Sequence, residues 1–153
     1  EEPTMRWIEN RINGEPTLNK PAQSYKEYGF AVHPSTGIRM KDGSIKPAVD
    51  IRVGDELSTR ATVAGTIQKC VNERCQTHSK LWITPSTLCW VGNKWIRQGE
   101  ISPVEKTEEV YVSLVVTPHS QIELEDGTMV RDYMEICSPD SETYYTKHLE
   151  SLS

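Results

Sequence analysis

Residues 32–57, VHPSTGIRMKDGSIKPAVDIRVGDEL, decide how this chain folds. A proline corner at Pro34 leads into a short run over residues 38–40, Asp42-Gly43 reverses the chain, and a return run ends at Gly54-Asp55. Aspartate-glycine between alternating apolar residues is a strong local signal for a β-hairpin. At the second turn Gly54 supplies backbone freedom, and Asp55 can accept backbone amides as the chain enters the next strand.

The same plan recurs downstream. Ile83-Thr84-Pro85-Ser86-Thr87 leads to Gly92-Asn93, and Val116-Thr117-Pro118-His119-Ser120 leads to Asp126-Gly127. Each segment is a proline corner, a short strand, a tight turn and a return strand, which points to an internally repeated hairpin plan. Further strands are expected over residues 62–70, 81–84, 88–91, 110–116 and 122–124. No stretch after residue 31 sustains a helical period over three turns, so the body is expected to be all-β.

The chain has 153 residues, one domain's worth, with 25% charged and 36% hydrophobic side chains. That composition belongs to a globular protein with a real core. The net charge is −5 and the basic residues are scattered, which argues against nucleic acid as a direct ligand. No apolar run is long enough to cross a bilayer and no charged-then-apolar leader opens the chain, so a soluble protein is expected. The chain opens at Glu1, as a trimmed chain or a cleavage product would.

Residues 1–30 carry Pro3, Pro16, Pro21 and Asn13-Gly14 and read as a flank or arm, with at most a short helix over residues 5–12. The β domain is expected over residues 31–137, and residues 138–153, with Tyr144-Tyr145, read as a C-terminal tail.

Three blocks in order resemble the Hint (Hedgehog/intein) self-processing family. The opening run through Gly54-Asp55 is similar to that family's first block: a cysteine, a threonine a few residues on, a strand, Asp-Gly, a return strand and an Ile-x-x-Gly-Asp turn. Thr84 to Thr87, followed by the Gly92 to Trp95 hairpin, is similar to its Thr-x-x-His segment and the Gly-x-Trp hairpin after it. Val110-Tyr111 through Val116, with His119 and Asp126-Gly127 downstream, looks like its late Val-Tyr strand. The Hint domains joined to von Willebrand-type modules read most alike. The resemblance covers roughly residues 31–136 and implies a compact, pseudo-two-fold β horseshoe of short antiparallel hairpins. In it Thr36, Thr84 and the strand of Tyr111 would converge on one cleft.

The resemblance also implies a chemistry. Hint domains attack the peptide bond before their first residue with that residue's own thiol or hydroxyl, which is nucleophilic catalysis and needs sulfur or oxygen there. Counting back from Thr36 puts that position at Ala31, which has neither. The family's general-acid histidine falls at Thr87, whose hydroxyl titrates far outside the useful range. Thr84 survives and can still bond a backbone amide. His119 stands where a late histidine could orient a carbonyl or shuttle a proton, and a half-exposed histidine at a proline corner is an equally good reading. His33 reads more simply as a corner residue. Two lost positions are more economically explained by natural decay than by a trapping substitution, which stays as the competing explanation. The C-terminal His-Asn pair used in splicing has no counterpart at Val130-Arg131-Asp132-Tyr133.

Four cysteines are too few for a disulfide scaffold. Cys70, Cys75, His78 and Cys89 could supply soft ligands, but their spacing departs from the tight pairs of structural zinc sites, and no metal or cofactor is expected. Trp82, Trp90 and Trp95 are expected to fill space between hairpins, with a stacking platform for a sugar or base as the sharper alternative.

Two functions remain in view. The first is an autocleavage domain, inactive as written, whose partner is its own flanking polypeptide. The second is a structural β module of a larger assembly, such as a phage or virion component, using its ends as arms.

Overall fold

A computed structural model of the chain describes residues 29–135. Residues 1–28 of the expected flank, with the helix allowed for over residues 5–12, and the expected C-terminal tail with Cys137 lie outside the described residues.

Nine strands follow in order: β1 (Gly37–Arg39), β2 (Ile45–Pro47), β3 (Thr62–Gln76), β4 (Trp82–Ile83), β5 (Leu88–Val91), β6 (Lys94–Arg97), β7 (Glu105–Thr117), β8 (Gln121–Glu123) and β9 (Met129–Arg131). Two 3-10 turns, Ala48–Asp50 and Gln98–Glu100, are the only helical pieces among the described residues. The body is all-β. It makes a β1-β2 ribbon, a three-stranded β4-β3-β7 sheet and a four-stranded β6-β5-β9-β8 sheet, every pairing antiparallel.

The expected hairpins form where turn chemistry dictates them. Gly92 and Asn93 both take positive φ, 56° and 66°, as a two-residue loop joining twisted strands requires. Asp42 closes its turn by accepting the Ser44 amide at 2.9 Å, and Asp126 does the same for Thr128 at 2.9 Å. At the second turn Asp55 Oδ2 takes the Arg52 amide and the Lys46 ammonium, both at 2.9 Å. The Arg52 amide, ahead of Lys46, holds that carboxyl below the usual carboxylate range.

Two strands run further than the alternation suggests. β3 continues to Gln76 and β7 begins at Glu105, joined as one long ribbon with bulges between Val63 and Gly65 and between Val71 and Glu73. The added length is polar. Arg74 bonds Glu105 at 2.9 Å and Glu109 at 3.2 Å across the ribbon, so opposite charges replace apolar alternation as the cross-strand pair.

The main core gathers Phe30, Val32, Ile38, Leu57, Ile83, Cys89, Leu114, Ile122, Leu124 and Val130 with their neighbours from all the sheets. Trp95 is buried and meets the partly buried Trp90 edge to face across β5 and β6, at 5.2 Å between centroids. Trp82 packs elsewhere, over Ala31. Cys75 and Cys89 are buried and Cys70 is exposed. Among the described residues no group of three or more His, Cys, Asp or Glu could hold a metal ion, and no helix is long and apolar enough to cross a membrane.

Candidate functional site: a hydroxyl cradle around the bond joining Phe30 to Ala31

The site begins with an extended segment whose apolar run, Phe30-Ala31-Val32, is too short to announce a strand. Residues 31–33 thread between β4 and β7, with Val32 bridging Ile83 on one side and Val112 on the other. Val32 and Val112 exchange two backbone bonds of 2.9 and 2.8 Å. The His33 amide donates to the Trp82 carbonyl at 3.1 Å, and the Thr84 amide donates to the Ala31 carbonyl at 3.0 Å. The entering chain is therefore a paired sheet element.

Hydroxyl groups take up the backbone just upstream. The Ala31 amide donates to Thr84 Oγ1 at 3.1 Å, and Thr84 Oγ1 donates to the Gly29 carbonyl at 2.9 Å. Ser86 Oγ donates to the same carbonyl at 2.8 Å. Thr87 Oγ1 lies 2.8 Å from Thr84 Oγ1. One hydroxyl has one proton, so with Thr84 donating to Gly29 the shared proton comes from Thr87. Thr87 thus orients Thr84 and does not address the Ala31 nitrogen itself. From the opposite side, Ser113 Oγ on β7 donates to the Phe30 carbonyl.

The apolar surroundings are as specific. Phe30 and Ala31 are both 0% exposed. Phe30 belongs to the main core, whereas the Ala31 methyl lies in a smaller cluster with Val71, Tyr111 and Trp82. Arg74 stacks on the Trp82 ring at 3.7 Å, and the Tyr111 hydroxyl donates to Glu109 at 3.0 Å. Burial, with Glu109 next in weight, pushes the Tyr111 phenol far above its ordinary range. His33 meets Tyr111 edge-on, 5.8 Å between centroids.

A buried ion pair braces the cradle from behind. Arg97 donates to the Ser86 carbonyl at 2.7 Å and to Glu135 at 2.6 and 3.2 Å. Gly29 takes φ +88°, and a Cβ there would lie 3.3 Å from both the Tyr133 ring and its carbonyl. The entering and leaving segments so lie against one another, and only glycine suits the contact.

Of the residues singled out in the sequence, Ala31, Thr84, Thr87 and Tyr111 come together here. Thr36 closes its own turn, donating its amide to the His33 carbonyl at 2.9 Å and accepting from Ala48 at 2.8 Å. His119 is buried, not half-exposed at its corner. Its Nδ1 accepts the Gln121 amide at 3.0 Å, which leaves the proton on Nε2 for the Thr59 carbonyl at 2.9 Å. Both ring nitrogens are taken up in bracing the 58–60 turn against β8.

Ser86, Ser113, Gly29 and Phe30 were not singled out. Ser113 carried a usable signal, as the one aliphatic hydroxyl in the otherwise apolar and aromatic run of residues 110–116.

No protein-family model and no curated protein matches this sequence. Solved structures do. The gp41-1 intein superposes with a TM-score of 0.55 at 12% identity, covering 68% of this chain and 99% of the intein. A DnaB intein from Synechocystis sp. PCC 6803 superposes with a TM-score of 0.53 at 14% identity, covering 67% of this chain and 98% of that one. At such identities the likeness establishes the fold alone. With its paired hairpins and its entering strand held between β4 and β7, this chain has the intein or Hint fold.

Proposed function

We propose that this chain is a Hint-type self-processing module that has lost its first acyl shift and keeps the junction of Phe30 and Ala31 as a permanent part of its fold. The observation that carries this reading is the cradle: Thr84 Oγ1 accepts the amide of that peptide bond and Ser113 Oγ donates to its carbonyl, yet Ala31 offers no nucleophile. Thr87 lacks the imidazole that would protonate a departing amine. The processing partner is then the chain's own flank, residues 1–30, tethered without release. Burial of Phe30 in the main core favours retention, because a released flank would withdraw that side chain and leave a cavity.

The test restores both groups, as Ala31→Cys with Thr87→His. The sulfur introduced at position 31 attacks the Phe30 carbonyl carbon, giving its thiol proton to the imidazole introduced at position 87. The carbon–nitrogen bond breaks as the departing nitrogen takes a proton from the imidazole introduced at position 87, leaving a thioester and a free amine. Added thiol or hydroxylamine then displaces the thioester sulfur. Mass spectrometry is expected to find residues 1–30 released from the doubly substituted protein, and more slowly from Ala31→Cys alone. An unchanged mass in both proteins, with the β-sheet circular dichroism retained, favours the reading as a structural β module of a larger assembly.

A further inference from the structure

We infer that Ser113 is the group that polarises the Phe30 carbonyl, so that the electrophilic half of an acyl-transfer site survives in this chain although the nucleophilic half is gone. The inference rests on the reading of the Phe30 to Ala31 bond as the ancestral point of cleavage, and assigns a role at that bond to a residue outside the two block positions already discussed.

The placement follows from β7. Tyr111, Val112, Ser113 and Leu114 are four consecutive buried residues. Burying a hydroxyl costs free energy unless a partner is supplied. Ser113 meets that cost with the Phe30 carbonyl. Its neighbour Val112 exchanges both backbone bonds with Val32, so the Ser113 backbone is fixed relative to the junction two residues away. The donor is thus preorganised, and it faces a carbonyl whose residue is 0% exposed. In such a water-excluded position a fixed donor acts far more strongly on charge developing at oxygen than it would in solvent.

The other hydroxyls serve different atoms. Thr84 and Ser86 both donate to the Gly29 carbonyl, one residue upstream, and Thr84 also accepts the Ala31 amide. Ser113 alone among these three addresses the carbonyl that an attack at this bond would convert to an oxyanion. It is a donor there and not the attacking group, because its hydroxyl bonds the carbonyl oxygen.

The chain contains a single phenylalanine, so a carbonyl-labelled phenylalanine marks this one bond. Isotope-edited infrared spectroscopy on the otherwise unaltered protein then reads the Phe30 carbonyl directly. Ser113→Ala is expected to move the labelled band to higher wavenumber, and Ser113→Thr, which keeps the hydroxyl on a strand-forming side chain, to leave it near its original position. In the Ala31→Cys, Thr87→His protein, adding Ser113→Ala is expected to slow thioester formation by ~10²-fold, with Ser113→Thr restoring most of the rate. A labelled band that does not move in folded Ser113→Ala overturns the inference. So does release of residues 1–30 from the unsubstituted chain by hydroxylamine, which would mean that Ser113 forms an ester and is itself the nucleophile. A band that moves while the doubly substituted protein never cleaves would uphold Ser113 and remove the self-processing reading.

Discussion

The turns at residues 33–36 and 84–87 share one backbone scheme and differ in what crosses them. In the first, the Thr36 amide donates to His33, Ala48 to Thr36, Val49 to Pro34 and Ile51 to Ala48, at 2.9, 2.8, 3.1 and 3.2 Å. In the second, Thr87 donates to Thr84, Gln98 to Thr87, Gly99 to Pro85 and Ile101 to Gln98, at 3.1, 2.9, 2.8 and 3.0 Å. A hairpin and a 3-10 turn follow each. Their side chains part company. Ser35 turns its amide and hydroxyl onto His33 Nδ1, at 3.1 and 2.8 Å, and remains local. Thr84 and Ser86 reach out to residues 29 and 31. A proline corner is therefore a repeated structural unit, and it becomes a candidate site only where the entering strand runs over it.

That contrast can be broken in stages. Phe30→Ala empties a fully buried position of the main core and is expected to cost about 3–5 kcal/mol in denaturant unfolding. A loss under about 1 kcal/mol would mean that the upstream residue is not part of the fold. Thr84→Val removes the acceptor for the Ala31 amide and a donor to Gly29, leaving a buried amide unpaired. The same measurement should lose about 1–3 kcal/mol.

The serines give a matched pair. Ser86→Ala withdraws a buried donor and should cost about 1 kcal/mol, whereas Ser35→Ala, on the exposed turn, should stay within about 0.5 kcal/mol. Equal losses would erase the distinction between the turns.

A pH slope from the segment that leaves beside Gly29 tests the back of the cradle. Burial pushes the Asp132 carboxyl up to about 7, with Glu135 adding to the rise and the amides of Val116, Glu135 and Met134 opposing it. The folded state then binds this proton more tightly than the unfolded chain, whose carboxyl titrates near 3.8. The contribution is fully present below that value, is lost as pH rises toward about 7, and is level above it. Asp132→Asn should flatten this part of a stability-against-pH curve; an unaltered slope would assign the proton to another group.

What could be read from residues alone was whatever is local. The turns at Asp42-Gly43, Gly92-Asn93 and Asp126-Gly127 formed because their backbone demands are met by the residues that make them. The span of β5 was legible in full. The far ends of β3 and β7 were not, because Arg74 with Glu105 and Glu109 replaces the alternation that marks a strand. At the site, Ala31, Thr84 and Thr87 were reachable only through resemblance. Ser113 and Ser86 meet the junction across sequence separations of 83 and 57 residues, which no local pattern encodes.

Native-state hydrogen exchange at Ala31 compares the two turns in one sample. If the junction is a paired strand locked by Thr84, the Ala31 and Val32 amides should exchange only with global unfolding, while the Ser35 amide exchanges orders of magnitude faster through local opening. Exchange of Ala31 and Val32 at the rate of Ser35 would show an entering segment that opens freely, with no cradle holding it.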